Sequence, residues 1–267
     1  MDLGLTGKVA ILSGGSMGIG FACAQAFAAE GARLAIAARN QERLDRAAQA
    51  IHAQTGAEVL AVAADMTRAD DVRRFVRAAL DRYARIDILV NVAGAAPGGL
   101  VEDLDDAAWL DALNLKFLGY VRTIRETAPI MVRQGGGRIV NVIGNDGNKP
   151  AYWELAPGAA NAAGHNLTQA LAEQYGKHNI LINAVNPGPV ATERWDGLEK
   201  AMARDKGITQ AEAHQLALRS LPLGRICQPE EVARLVLFLA SEQNTYISGA
   251  LVPIDGAQRK ALMDTDR

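Results

Sequence analysis

The 267-residue sequence contains little cysteine, almost no net charge and no long apolar run. Its two cysteines, Cys23 and Cys227, stand far apart, and no cysteine or histidine lies at metal-ligand spacing. This pattern predicts no disulfide framework and no metal site, but two small buried thiols in a reducing compartment. With 28 Lys and Arg against 30 Asp and Glu, the formal net charge is −2. The chain therefore lacks the basic field that attracts nucleic acid and the acidic run of an interaction tail.

No apolar run approaches the roughly 18 residues that a membrane-spanning helix needs. Residues Met1–Lys8 also lack the apolar core of a signal peptide. Hydrophobic residues make up 49% of the chain and charged residues 22%, a balance that excludes long disordered segments. We therefore expect a cytoplasmic protein that acts on a small molecule, with neither a membrane nor a nucleic acid as partner.

Short apolar segments alternate along the chain with longer amphipathic ones. The strand candidates are Val9–Leu12, Arg33–Ala38, Val59–Ala63, Ile86–Val92, Arg138–Ile143, Ile180–Val185 and Ala250–Ile254. The helix candidates are Gly18–Glu30, Gln41–Gln54, Ala69–Tyr83, Leu104–Gln134, Gly158–Tyr175 and Glu230–Ala240. The strands are almost continuously apolar, as parallel strands covered on both faces are. The alternation predicts an α/β fold, a single Rossmann-type domain over residues 1–267 whose doubly wound parallel sheet of seven strands is flanked by helices.

One section, Asn186–Cys227, departs from this alternation, and only its Thr209–Arg219 portion reads as a helix. Excursions of this size in α/β folds usually cover a substrate site. We expect a substrate lid over about residues 189–226.

A cluster of glycines follows the first strand and opens the first helix. Glycines allow a tight turn and a close approach to a pyrophosphate, which the free N–H groups of a helix N-terminus bind. The position between strand and helix is the context that favours a dinucleotide site. The candidate residues are Gly14, Ser16, Met17, Gly18, Ile19 and Gly20. Arg39 follows the second strand, at the position where a carboxylate would select NAD(H). An arginine here suits the extra phosphate of NADP(H), so we expect NADP(H) as the cofactor. Ser16 is expected as a second hydrogen-bond donor to that phosphate.

Further motifs are Asp65-Met66-Thr67, Asn91-Val92-Ala93-Gly94, Asn114, Asn186-Pro187-Gly188 with Thr192, Arg225 to Val232, and Ser248-Gly249 to Asp255-Gly256. With the glycine cluster they resemble the short-chain dehydrogenase/reductase family over nearly the whole chain. The resemblance implies a homo-oligomer, a tetramer or dimer that pairs the helices beginning near Leu104 and Gly158. It also implies that Asn114 shapes the active-site helix and its water chain. The cofactor residues that it implies are Asp65, Met66, Asn91, Ala93, Gly94, Asn161, Pro187, Gly188, Val190 and Thr192.

The chain departs from the family at the three positions that carry its chemistry. By resemblance, a Ser binds the substrate carbonyl, a Tyr exchanges the proton and a Lys holds the nicotinamide ribose; here these positions are Gly144, Pro157 and Asn161. Hydride transfer to a carbonyl builds an alkoxide that must gain a proton, so another donor is needed.

The candidates for catalytic roles are Tyr152, in the loop before Pro157, Asn145, beside the vacated Ser position, and Asn114. Tyr152 and Trp153 could equally form an aromatic wall, and Asn145 and Asp146 could simply belong to a turn. We expect Glu154 to be solvated and His165 to pack at a subunit contact.

Three functions remain open. The first is an NADP(H)-binding oxidoreductase that acts on a small carbonyl compound, enone or alcohol through a non-standard proton relay. The second is a lyase, dehydratase or isomerase that uses the same pocket without net hydride transfer. The third is a catalytically inactive, cofactor-binding partner of another subunit. The retained cofactor motifs favour the first.

Overall fold

The structure, a computed structural model, describes residues 2–94 and 97–259; the ends of the expected domain, Met1 and residues 260–267, and residues 95 and 96 lie outside the described residues. The strands are β1 Val9–Ser13, β2 Arg33–Ala38, β3 Val59–Ala63, β4 Ile88–Asn91, β5 Gly137–Val142, β6 Ile180–Pro187 and β7 Leu251–Ile254. The helices are α1 Gly18–Ala29, α2 Gln41–Thr55, α3 Ala69–Tyr83, α4 Asp106–Ala112, α5 Leu118–Gln134, α6 Leu155–Gly176, α7 Glu193–Lys206, α8 Gln210–Arg219 and α9 Pro229–Ala240.

The seven strands form one sheet in the order β3-β2-β1-β4-β5-β6-β7, and every pairing is parallel. Two apolar cores cover its faces, one around Phe27 and Leu12, the other around Phe75 and Ile11. All five residues of β1 are buried, which explains why alternation is absent from its sequence. The predicted fold class, a Rossmann-type doubly wound sheet flanked by helices, is confirmed.

The helix expected over Leu104–Gln134 is divided. Helix α4 passes through a π-helical turn, Leu113–Phe117, into α5. The carbonyl oxygen of Asn114 accepts a hydrogen bond from the Arg122 guanidinium at 2.9 Å, and its side-chain oxygen accepts a second at 2.7 Å. These side-chain bonds satisfy a carbonyl in a turn where the regular i→i−4 ladder is interrupted. The turn directs Lys116 toward the carboxyl end of β5, where its ammonium donates to the Ile143 carbonyl oxygen.

The irregular section after β6 contains two helices, α7 and α8, of which the sequence predicted only α8. Thr192 caps α7 by accepting a hydrogen bond from Trp195 N, and Gly207 ends it at φ +67°. Both helices pack on a small apolar cluster that includes Trp153, Trp195 and Met202. In the described part of the chain, no helix combines the length and the apolar character that crossing a membrane requires.

Candidate active site

A cavity that opens to solvent lies beyond the carboxyl ends of β4, β5 and β6. In open α/β sheets, ligands bind at this edge, near the point where the strand order reverses. Its walls come from seven parts of the chain: the glycine loop at Ile19, residues 92, 94 and 98 after β4, the π-helical turn, the segment after β5, the start of α6, the segment from Pro187 into α7, and Gln258. The cavity therefore brings together most regions that the sequence singled out.

The glycine loop is held against the sheet. Gly14 N donates to the Ala37 carbonyl oxygen at 2.7 Å, and Gly14 has φ +80°. A Cβ at Gly14 would stand 2.8 Å from Ala93 N, so no larger residue fits. Met17 precedes α1 in an extended conformation, and no side chain among the described residues caps that helix. The first-turn N–H groups are thus available to an anionic ligand, as a pyrophosphate site requires.

Arg39 follows β2 with its side chain exposed. The next residue, Asn40, caps α2 by accepting a hydrogen bond from Arg43 N at 2.8 Å. The Arg43 guanidinium in turn reaches the Met17 sulfur at 3.4 Å, beside the glycine loop. The sequence analysis missed Arg43, although its place in the first turn of α2, three residues after the cap, could have indicated it.

The residues expected on the adenosine side divide into two groups. Gly94 lines the cavity, and Asp65 forms a turn in which its carboxylate accepts from Thr67 N at 2.9 Å. Met66 is buried at 4% exposure. Asn91, by contrast, is fully buried, and its side chain accepts from Thr123 Oγ1 at 2.7 Å and donates to Asn141 at 3.0 Å. Its side chain therefore faces the core and leaves only its backbone to a ligand.

The residues expected on the nicotinamide side come together in one wall. They are Pro187, Gly188, Val190 and Thr192, and all four line the cavity together with Ile19. Thr192 Oγ1 donates to the Val190 carbonyl oxygen at 3.2 Å, which folds this segment into a compact turn before α7.

Gly144, Pro157 and Asn161 meet in the same cavity. Pro157 is buried in the first turn of α6, as predicted, because a proline there removes only an N–H that has no helical partner. Asn161 is 2% exposed, and its Nδ2 donates to Asp146. Its Oδ1 has no hydrogen-bond partner among residues 2–94 and 97–259, so a buried acceptor is left for a ligand.

The three residues proposed for catalysis take different places. Asn145 lines the cavity, but its Nδ2 already donates to Gln258 Oε1 at 2.5 Å. Tyr152 is 47% exposed and is not among the lining residues, whereas its neighbour Trp153 forms part of the wall. Asn114 lies in the π-helical turn, bound to Arg122, and does not line the cavity either.

Four charged side chains also line the cavity, of which the sequence analysis considered Asp146 and Glu154 but not the other two: Lys116, Asp146, Glu154 and Arg194. The expectation that Glu154 is solvated is wrong, because α6 begins at Leu155 and turns Glu154 inward, leaving it only partly accessible. Burial and the nearby negative charge of Asp146 raise the pKa of Glu154 to about 7. Burial lowers the pKa of Lys116 to about 8, opposed by the charge of Asp146. The sequence did contain a signal for the place of Glu154: it lies three residues before Pro157 and seven before Asn161, a spacing that favours the same side of a helix.

The other residues that the sequence analysis discussed, His165, Cys23 and Cys227, have surroundings that suit a structural role. His165 is buried within the chain, its Nε2 2.9 Å from Asn186 Oδ1, and burial lowers its pKa, which keeps the imidazole neutral. Cys23 is buried as expected, whereas Cys227 is partly exposed, contrary to the expectation, because it precedes α9 at the surface. No group of side chains suited to hold a metal ion occurs in the described ranges.

The glycine loop before α1 and the cavity beside it define a nucleotide-binding protein of the Rossmann class. A family model described as enoyl-(acyl carrier protein) reductase matches residues 14–257. A 3-oxoacyl-(acyl-carrier-protein) reductase of Thermotoga maritima is 32% identical over 255 residues, which cover 94% of this chain and 98% of that protein. A galactitol 2-dehydrogenase (L-tagatose-forming) of Cereibacter sphaeroides is 34% identical over 255 residues, covering 94% and 95% of the two chains.

Among solved structures, that of an L-sorbose reductase from Gluconobacter frateurii in complex with NADPH and L-sorbose is similar, with a TM-score of 0.91 and 33% identity. The similarity covers 98% of this chain and all of that one, at 100%. The chain belongs to the short-chain dehydrogenase/reductase family of oxidoreductases.

Proposed function

We propose that the protein is an NADP(H)-dependent oxidoreductase that interconverts a small carbonyl compound or enone and its reduced form through a proton relay unlike that of its family. The observation that carries the cofactor assignment is that the glycine loop continues into the cavity through Ile19. The altered relay follows from the residues at the family's catalytic positions: Gly144, Pro157 and Asn161 have no side chain that donates a proton as a phenol does. When bound, the nicotinamide supplies or accepts a hydride.

The chain's own residues suit this cofactor. The glycine loop and the N-terminus of α1 bind the pyrophosphate, with Ser16, Met17, Gly18 and Gly20 contributing to the loop. Arg39, with Ser16 beside it, takes the extra phosphate of NADP(H). The free Oδ1 of Asn161 accepts a hydrogen bond from a ribose hydroxyl, which resolves its buried, unsatisfied state.

The substrate side of the cavity combines apolar and charged walls. Trp153, Trp195 and Leu198 supply the apolar part, and Lys116 and Glu154 are among the charged residues that line the same cavity. Relatives named as L-sorbose reductase and galactitol 2-dehydrogenase support a small polar carbonyl or alcohol as substrate. We propose residues 189–226, with α7 and α8, as the lid over this substrate, within a single domain.

A homo-oligomer, either a tetramer or a dimer, is part of the proposal. Two large apolar side chains, Leu110 on α4 and Leu118 on α5, are 64% and 39% exposed on adjacent helices. Exposed apolar residues on neighbouring elements are typical of interfaces. We retain a cytoplasmic location as a prediction of the sequence.

One observation favours a second candidate function, a lyase, dehydratase or isomerase. The cavity contains two carboxylates and a lysine, the groups that proton abstraction and return require even without hydride transfer. In that case NADP(H) binds but its absorbance does not change during turnover.

The test combines binding and turnover. NADPH and NADH affinities are measured by quenching of tryptophan fluorescence, and NADPH oxidation is followed with a panel of hydroxyketones, aldehydes and enones. We expect tighter binding of NADPH and oxidation with at least one compound. Binding without oxidation, accompanied by conversion of the compound, would support the second function. Failure to bind either nucleotide would refute both.

A further inference from the structure

The backbone around Glu154 is fixed at the start of α6. The Glu154 carbonyl oxygen accepts a hydrogen bond from Gly158 N at 2.8 Å, and Glu154 N donates to the Ala151 carbonyl oxygen at 3.1 Å. Gly99 N donates to the Trp153 carbonyl oxygen at 2.8 Å, which ties this segment to the chain that follows β4. The side chain of Glu154 is therefore presented to the cavity from a rigid support rather than from a mobile loop.

Glu154, the residue that immediately precedes α6, lines the cavity together with Pro157 and Asn161 of that helix. Positions three and seven residues apart lie on one face of a helix, and all three residues line the cavity. Pro157 fills the place at which the family presents its proton donor. The carboxyl group of Glu154 is thus one helical turn from that place, on the same wall.

The other polar groups at this point are engaged. Asp146 accepts a hydrogen bond from Asn161 Nδ2, and Asn145 donates to Gln258 and Asp255. Glu154 also lines the cavity, and burial together with the charge of Asp146 favours the protonated form of its carboxyl group. A protonated carboxyl group can donate a proton to a substrate oxygen, which an ionised carboxylate cannot.

The charges that face Glu154 come from three other segments. Asp146 lies in the 3₁₀ turn after β5, Arg194 in the first turn of α7 and Lys116 in the π-helical turn. Asp146 disfavours the ionised form of Glu154, whereas Arg194 and Lys116 favour it. The Lys116 ammonium is anchored by its hydrogen bond to the Ile143 carbonyl oxygen, next to Gly144. It is a cation in the cavity at a different place from the lysine that the family carries on α6.

We propose that Glu154 is the catalytic residue that exchanges a proton with the substrate oxygen, and that Lys116 is a positioning residue that acts through Glu154. This inference rests on the proposed oxidoreductase function. In reduction, the carbonyl carbon gains the hydride from NADPH, the oxygen gains the proton of the Glu154 carboxyl as the C=O π bond breaks, and NADP⁺ and an alcohol leave. Solvent then returns the proton to the carboxylate. In oxidation the carboxylate takes the hydroxyl proton.

The ionisation of Glu154 gives the inference a pH signature. Reduction needs the protonated carboxyl, so kcat/KM for reduction falls as pH rises through about 7, the pKa of Glu154. Oxidation needs the carboxylate and rises over the same interval. Above about pH 8, Lys116 loses the positive charge that favours the Glu154 carboxylate. Part of Glu154 therefore stays protonated, and the fall in the reduction rate extends to higher pH.

The first experiment compares Glu154→Gln with Glu173→Gln, a matched change at an exposed position on the same helix. We expect Glu154→Gln to lower kcat for reduction by about 100-fold or more, the usual contribution of a general acid. Its NADPH affinity should stay that of the wild type, and the fall through neutral pH should vanish. Glu173→Gln should match the wild type. If Glu154→Gln does not fold, Glu154→Asp should keep measurable activity with an altered pH profile.

The outcomes separate the two proposals. If Glu154→Gln oxidises NADPH with the wild-type kcat and pH profile, the role of Glu154 is refuted and the oxidoreductase function stands. If the wild type oxidises no NADPH with any compound of the panel, both proposals fall.

The second experiment tests Lys116 by the position of the pH profile. Lys116→Met removes a cation that favours the Glu154 carboxylate, so the fall in kcat/KM should move to higher pH, whereas Lys177→Met, at an exposed position, should leave it in place. Infrared difference spectra of the carboxyl band, wild type minus Glu154→Gln, should show the same shift without turnover. A Lys116→Met protein that is less active with an unshifted profile would refute the positioning role.

Discussion

The side-chain amide of Asn161 donates a hydrogen bond to the carboxylate of Asp146, and together they occupy the space beside Gly144. A Cβ built on Gly144 would stand 2.6 Å from Asn161 Nδ2 and 2.7 Å from Asp146 Oδ1. Gly144 also has φ +156°, a conformation that L side chains rarely adopt. Gly144 and Asn161 therefore constrain each other, because the Asn161 amide occupies the space that a serine side chain at position 144 would need.

Gly144→Ser alone should consequently destabilise the fold rather than restore chemistry. Backbone strain of this kind costs about 1–3 kcal/mol, and the contact with Asn161 adds to it. Gly176→Ser, where a Cβ meets nothing within 4 Å, is the control and should change stability little. Urea denaturation of both variants measures the difference. An unchanged midpoint for Gly144→Ser would contradict the packing described above.

Combining Gly144→Ser with Pro157→Tyr and Asn161→Lys should raise generic carbonyl reduction by NADPH. The triple variant removes the opposing amide and introduces a phenol whose pKa, normally about 10, a nearby ammonium lowers. Activity on the aldehyde panel, measured together with the denaturation midpoint, checks this. No gain in a folded triple variant would mean that the pocket differs from the family's beyond these three positions.

The sheet could be predicted from the sequence because parallel strands buried on both faces leave continuous apolar runs. Helix α7 could not, because only Trp195, Glu199, Met202 and Ala203 of its fourteen residues are buried and most of the others are charged. The residue pattern alone did not indicate the π-helical turn either, since side-chain periodicity is nearly the same on both sides of it; the family resemblance implied only that Asn114 shapes a kink in this helix. Such features depend on tertiary partners, such as Arg122, rather than on local composition.

The site divides in the same way. The glycine loop could be predicted because its requirement is a local backbone geometry that only glycine meets. Glu154 and Lys116 could not, because a charged residue beside a turn reads as solvated until the fold brings other walls against it. The exposed position of Tyr152 was equally unpredictable, since the sequence does not indicate which of two neighbouring aromatic residues faces the cavity.

Arg39→Ala should weaken the binding of NADPH much more than that of NADH. A hydrogen-bonded charge contact of this type contributes about 1.5–3 kcal/mol, which corresponds to roughly 10–100-fold in the dissociation constant of NADPH. Arg46→Ala, an exposed arginine further along α2, serves as the control. Titration of tryptophan fluorescence with each nucleotide gives the dissociation constants of the wild type and both variants. Equal losses for both nucleotides would refute a contact with the extra phosphate.

Arg43 offers a second contact at the same place, because its guanidinium lies 3.4 Å from the Met17 sulfur. The double variant Arg39→Ala, Arg43→Ala should therefore abolish the preference for NADPH that either single variant retains in part. A full preference in the double variant would place the selective group elsewhere.

Glu154→Gln should make the protein more stable than the wild type at pH 8 but not at pH 4. The pKa of Glu154 is raised from 4.5 to about 7 in the folded state, so between these values the folded state binds more protons than the unfolded state. Its contribution to stability is present below pH 4.5 and is lost as pH rises through 7. The loss is on the order of 1–3 kcal/mol, since one pKa unit is about 1.4 kcal/mol and the cavity remains partly open to solvent.

Urea denaturation at a series of pH values, with Glu173→Gln as control, measures this difference. The wild type and the control should lose stability in parallel between pH 5 and 8, whereas Glu154→Gln should lose less, by about the amount that linkage assigns to one group. Parallel curves for all three proteins would show that Glu154 titrates normally and would remove the pH argument for its role.

The proposed lid, residues 189–226, contains one buried carboxylate that connects its two helices. Glu199 Oε1 accepts hydrogen bonds from Trp195 Nε1 at 2.5 Å and from His214 Nδ1 at 2.6 Å. The first bond lies within α7, and the second connects α7 to α8. Glu199→Leu would leave the Trp195 N–H buried without an acceptor, at a cost of about 1–3 kcal/mol. Lys200→Ala, exposed on the same helix, is the control.

Because α7 contributes Trp195 and Leu198 to the cavity and α8 packs with α7 in one apolar cluster, loosening the two helices should affect substrate more than cofactor. We expect Glu199→Leu to increase hydrogen exchange in α7 and α8 only, and to raise KM for the carbonyl substrate with little change in NADPH affinity. Unchanged KM despite faster exchange would show that residues 189–226 move without gating the substrate, and the lid proposal would then have to be abandoned.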